Sequence, residues 1–139
     1  MGLDQYAFSS HEPLREIDDG EGRAMLVPEV ETKFVWRKHA KLHEYMQRLY
    51  FQFGYRKKSV RNDRDEFNCN PMSLDTDAVI GLEAAIKGND LPTSLGGLFF
   101  GHEFQDESAT DYREQDLEFC KWARGELKAK KHVYYDCWW

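Results

Sequence analysis

The sequence holds 139 residues, 41% of them hydrophobic, 14% aromatic and 32% charged. That is the length of one domain with enough apolar material for a core, which excludes a wholly disordered chain and a second domain of ordinary size. No apolar run approaches the ~18 residues that cross a bilayer, and MGLDQYAFSS lacks the basic start of a secretory leader, so a cytoplasmic, soluble α+β domain is expected.

The net charge of −6 is mild, but its distribution is not even. Residues 1–33 carry three basic and eight acidic groups, residues 34–64 nine and two, residues 65–119 two and thirteen, and residues 120–139 five and two. A basic block inside an acidic chain binds an anion or pairs with its own acidic neighbours. Cys69, Cys120 and Cys137 are odd in number and form no CxxC pair, so neither a disulfide framework nor a cysteine zinc site is expected.

In chain order, Leu3–Ser9 alternates as a first strand with Tyr6 and Phe8 on one side, and His11–Gly22 reads as an acidic loop. Ala24–Val27 and Phe34–Trp36, separated by Pro28, predict a strand pair or irregular hairpin. From Trp36 to Phe53 the period becomes helical, with Val35, His39, Leu42, Met46, Leu49 and Phe53 as a buried stripe and Gly54 as the closing glycine. Residues 55–70 read as a polar, basic connection. A second helix is expected over Asp75–Lys87, capped by Ser73 or Asp75 and closed by Gly88. Residues 90–104 form a glycine-rich loop with one short extended piece. A third helix follows over Asp111–Lys130, with Ser108 and Asp111 as a capping box and Tyr112, Phe119, Cys120, Ala123 and Leu127 inside. His132–Trp139 carries aromatics at alternating positions on both sides, the pattern of a strand covered on both faces. The fold expected is one α+β domain over 1–139, with about three helices on a small, mainly antiparallel sheet that includes both terminal strands side by side.

Several strings occur together here: MGLDQY, VWRKHAKLHEYM, LPTSLGGLFFG, DYREQDLEF and YYDCWW. The chain thereby resembles a family of small phage and bacterial proteins that open with MGLD-x-aromatic and carry WRK-x4-H, LPT–G–FFG and YY-x3-W segments. The matching positions are Asp4, Tyr6, Trp36, Arg37, Lys38, His43, Leu91, Pro92, Thr93, Gly96, Phe99, Phe100, Gly101, Tyr134, Tyr135 and Trp139. The chain departs from the pattern by an extra residue between Thr93 and the FFG and by its two-tryptophan ending. The resemblance implies a phage or phage-like origin and no reaction. A phosphoglycerate kinase label borne by some members does not suit a chain this short without a glycine-rich phosphate loop.

Four constellations carry chemistry. His39 and His43 stand four apart on one helix, a metal-ligand spacing, but HAKLH lacks the glutamate of HExxH, and His39 lies on the apolar stripe, where a hydrogen-bonded core histidine is commoner. No metal and no cofactor are therefore expected. Arg37 and Lys38 sit at a strand-to-helix junction, where they hold an anion or pair with an acidic loop. The basic segment YRKKSVRNDR follows a ring-rich helix end and suits single-stranded nucleic acid if Phe51 and Tyr55 are exposed. The loop LPTSLGGLFFGHEF places Thr93 and His102 beside phenyl rings. No GxSxG or comparable nucleophile string occurs, so the leaning is away from an enzyme.

The expectation is a small phage-type accessory protein that binds a host macromolecule, protein first, through Arg37, Lys38, Arg56, Lys57 and Trp138. The alternative is a small-molecule or nucleotide pocket built from Asp4, Tyr6, Arg37, His43, Thr93 and His102. A second alternative is nucleic-acid binding through residues 55–64. Oligomeric state stays open.

Overall fold

The computed structural model describes residues 2–61, 66–95 and 102–139. Residues 62–65 and the glycine-rich stretch Gly96 to Gly101 lie outside the described residues, as does the side chain of His102.

Period-two alternation at the two ends of the sequence builds the centre of the molecule. Strand β1 (Asp4–Ser10) and strand β6 (His132–Trp138) pair antiparallel along seven residues, from Asp4 opposite Trp138 to Ser10 opposite His132. The short strands β4 (Phe34–Arg37) and β5 (Met72–Leu74) add at either side, giving the antiparallel order β4–β1–β6–β5. A separate two-stranded ribbon joins β2 (Arg15–Asp18) to β3 (Ala24–Val27).

Three helices cover one sheet face: α1 (Ala40–Gln52), α2 (Thr76–Lys87) and α3 (Gln105–Lys128). Leu3, Ala7, Val133, Tyr135 and Cys137 point from the strands into that layer and are buried with Met46, Leu82 and Phe119 from the helices. Rings organise it: Phe119 meets Trp36 edge-on at 5.2 Å, and Tyr50 stacks on Phe67 at 4.6 Å. On the opposite sheet face, Phe8 and Tyr134 are buried with Leu14, and the Leu14 amide donates to the Tyr134 hydroxyl at 2.9 Å. The last strand is thus covered on both faces at that end, as its double-sided aromatics predict.

Local expectations needed four corrections. The acidic stretch 11–22 contains β2, which takes β3 as its partner, so Ala24–Val27 and Phe34–Arg37 do not pair with each other. Asp18 Oδ1 accepts from the amides of Gly20 and Gly22, and Asp19 Oδ1 from those of Glu21 and Arg23, making a tight turn from residues that read as loop. The first helix begins at Ala40, because Lys38 sits at φ 54° and turns the chain out of β4. The ends of the supposed stripe consequently fall outside it, with Val35 54% and Phe53 68% exposed. Strand β5 was not legible in its three residues. The third helix starts at Gln105 rather than Asp111, which leaves Ser108 and Asp111 inside it and not at a cap.

The start of α2 is held by chemistry visible beforehand. Asp75 Oδ1 accepts from the Ala78 amide at 2.9 Å and from the Tyr55 hydroxyl at 2.7 Å, and Oδ2 pairs with Lys58 at 2.6 Å. Partial burial pushes the Asp75 carboxyl upward, but the hydrogen bonds from Lys58, Tyr55 and Ala78 outweigh this and hold it at about 2. Asp75→Ala should cost about 1–2 kcal/mol through the lost cap and the stranded Tyr55 hydroxyl, measured as a lower urea midpoint with an unchanged slope.

Candidate functional site

Chain segments far apart in sequence meet at a groove of about 560 Å³ beside β5 and β6. Arg15 reaches it from β2, Lys57 and Lys58 from the 3-10 turn Tyr55–Lys58, and His132 from the start of β6, with Ser59 and Tyr134 in the lining. Lys58 is paired with Asp75, while Arg15 and Lys57 have no carboxylate within ion-pair distance among the described residues. Arg56 is exposed on the same turn. Glu16, the one acidic group in the lining, is engaged by Arg61 at 3.2 Å. The groove is therefore a positive locus on an acidic chain, its cations Arg15, Lys57 and Lys58 held by two separate elements, with the His132 imidazole beside them from a third.

The aromatic platforms expected beside these cations lie elsewhere. The Tyr55 ring is half-buried, donates to Asp75 and carries Lys58 Nζ 4.1 Å above its centroid. Phe51 faces a different hollow with Phe67 and Trp139.

Beneath the sheet, a chain of buried polar groups ties the layers together. Gln5 makes two bonds to the backbone of His39, accepting from its amide at 2.9 Å and donating to its carbonyl at 3.1 Å. The other Gln5 N–H donates to the Tyr135 hydroxyl at 3.1 Å, which in turn lies 3.0 Å from His43 Nδ1. The two share one hydrogen bond, and burial suppresses the charged form of His43 to a pKa of about 3. Asp116 closes the other end, accepting from Trp36 Nε1 at 2.8 Å and from His39 Nε2 at 2.7 Å. His39 and His43 therefore face separate partners, and no group of three or more His, Cys, Asp or Glu side chains suited to a metal occurs among the described residues.

Of the six residues of the expected small-molecule pocket, the His102 side chain lies outside the described residues, and the other five are divided by the fold. Asp4, Tyr6 and Arg37 stand together on the outer sheet face, with Arg37 Nε 3.7 Å from Asp4 Oδ1. Partial burial, then the nearby carboxylates Asp4 and Asp136, raise the Tyr6 hydroxyl, with Arg37 opposing. His43 lies beneath the sheet, and Thr93 borders an apolar cleft of about 870 Å³ between α1, α2 and residues 91–95. Lys38 is exposed at the β4–α1 turn, and Trp138 is 61% exposed at the end of β6. Sequence reasoning placed Lys57 and Lys58 together in the basic segment 55–64 but missed Arg15 and His132 as their neighbours, and it gave no role to Gln5 or Asp116. A charged residue on the inner face of the third helix, Asp116 between Tyr112 and Phe119, was the available signal.

The fold and site define a two-layer α+β domain with a positive groove at one end of its sheet and a buried polar network at its centre. No family model, curated protein or solved structure matches the chain. No helix among the described residues is long and apolar enough to cross a membrane.

Proposed function

We propose that this chain is a small, non-enzymatic accessory protein that docks an acidic segment of a partner protein in the Arg15–Lys57–His132 groove. The observation that carries the reading is the convergence of Arg15 from β2 with Lys57 and Lys58 from the 3-10 turn, beside His132 of β6, in a chain of net charge −6. Such a field draws in acidic surfaces and raises association rates. Protein is favoured over single-stranded nucleic acid because the Tyr55 ring is engaged internally, Phe51 faces another hollow and the Tyr134 ring of the lining is buried, leaving no exposed stacking platform beside the cations among the described residues. A phage setting, with action in the host cytoplasm, is supported by the resemblance of the MGLDQY, WRK-x4-H and YY-x3-W strings to small phage and bacterial proteins.

The test uses two fluorescent probes, an Asp/Glu-rich peptide and a single-stranded oligonucleotide of equal charge, at low and moderate salt. Tighter binding of the peptide, weakened about tenfold or more by the pair Arg15→Glu and Lys57→Glu, is the expected result. A tighter oligonucleotide with a steep salt slope reassigns the groove to nucleic acid, and binding indifferent to the charge reversal removes it from the function.

A further inference from the structure

The outer sheet face carries a second surface, distinct from the groove, whose pattern is set by strand register. Residues directly opposite across paired strands share a face. One row therefore reads Arg37, Asp4, Trp138 across β4, β1 and β6, and the next reads Val35, Tyr6, Asp136. Their strand neighbours Gln5, Trp36 and Cys137 point the other way and are buried. Phe8 and Tyr134 are covered at the far end of the face, whereas here Val35 and Trp138 stay more than half exposed.

The six side chains form a rectangle of roughly 10 by 7 Å at the backbone, from strand spacing and rise. Arg37 and Asp136 occupy one pair of opposite corners, and Val35 and Trp138 the other. Asp136 spends one oxygen on the Cys137 amide at 2.8 Å and has no cation within ion-pair distance among the described residues. Burial pushes its carboxyl up to about 6, against the opposing pull of the Cys137 amide and of the more distant Arg61 charge. Arg37 is only loosely held by Asp4.

A two-fold axis lying in the face, close to the Val35–Trp138 diagonal, brings each charged corner over the oppositely charged corner of the second copy and leaves each apolar corner beside its own counterpart, with the long Arg37 side chain taking up the remaining offset of a few ångström. We infer that this face binds a second copy of the chain, with Arg37 of each protomer meeting the partner's Asp136 and the two Trp138 rings packed at the axis. Such an interface is isologous, so each contact occurs twice. Edge-to-edge pairing is not open to β4, because the Arg37 amide donates to the Tyr112 hydroxyl at 3.0 Å and Gln115 Nε2 donates to the Val35 carbonyl at 2.7 Å. The contact is therefore face to face. Its small core predicts a weak dimer, dissociating at roughly 10–100 μM.

The register supplies a decisive test by sedimentation velocity. R37D alone and D136R alone each set like charges against each other and should sediment as monomers. An equimolar mixture should form a heterodimer, because both corner pairs are then of opposite sign. W138A, at an exposed position that leaves the core intact, should weaken wild-type dimerisation about fivefold or more. A wild-type chain that stays monomeric to about 500 μM overturns the inference. So does dimerisation unchanged in both R37D and W138A, or a folded R37D/D136R mixture that fails to associate. Should D136R fail to fold, R37D and W138A still decide the matter. None of these residues lines the Arg15–Lys57 groove, so probe binding there reports separately.

Discussion

Asp116→Ala should lower stability by about 3–4 kcal/mol, a loss comparable to truncating a buried aromatic of the core. The carboxylate is 1% exposed and accepts from Trp36 Nε1 on β4 and from His39 Nε2 at the start of α1. Truncation leaves two buried donors without an acceptor and opens a void where α3 meets the sheet. Asp116→Asn keeps one acceptor and sets an amide against a second donor, so roughly half the loss should remain. Urea denaturation measures both, and a drop of roughly 10–15 °C in Tm should accompany the alanine variant. A loss below about 1 kcal/mol would mean that Trp36 and His39 find other acceptors and that the network is not what joins α3 to the sheet.

The acid response should be the second large effect, and two groups, the buried His43 and the partly buried Asp136, drive it in opposite directions. His43 binds its proton near pH 6.5 in the unfolded chain but near 3 in the folded one, because burial disfavours the cation. The unfolded state then holds more protons as pH falls below 6.5, which removes roughly 1.4 kcal/mol of stability per unit. Asp136 behaves inversely: its folded pKa of about 6 lies above the unfolded 3.8, so stability rises as pH falls through 6 toward 4, by a similar slope. Between about pH 6 and 4 the two contributions offset each other. His43→Gln, which preserves an acceptor for Tyr135, should make the protein more stable on acidification across that window. Asp136→Asn should be more stable than wild type near pH 7, by about 2–3 kcal/mol, and should lose stability steeply below pH 6. Chemical denaturation at low protein concentration, from pH 4 to 8, tests both. Parallel profiles for the wild type and the two variants would show that neither group titrates abnormally.

These two effects and the groove belong to different parts of one design. The central network is buried, so it joins layers and holds a histidine neutral, and its end member Asp116 borders a cavity of about 480 Å³ beside Lys41 and Arg113. The groove and the outer sheet face are where side chains remain available to partners. Charge segregation along the chain places cations at 56–58, but the groove also needs Arg15, and that depends on the β2–β3 ribbon folding back over the sheet end.

Composition and periodicity alone determined a good deal. Alternation in residues 3–9 and 132–139 specifies two strands, because a half-buried or fully buried strand must repeat every two residues. Leu42, Met46 and Leu49, and Val79, Leu82 and Ile86, specify two helices by their three- and four-residue spacing, and Asp75 with Gly88 marks the ends of the second. What the strings could not carry was pairing. Val35 sits at helical spacing from His39 and Leu42, yet a single left-handed residue, Lys38, puts it on a strand facing outward. Ala24–Val27 and Phe34–Arg37 are both strands, but their partners are β2 and β1, a choice made by backbone hydrogen bonds between distant segments. Asp4, Tyr6 and Arg37 proved to be neighbours through strand register, whereas His43 and Thr93 were separated by the sheet and by α2. Side-chain pattern along one segment reports which face is buried; only the packing of all segments decides what lies opposite it.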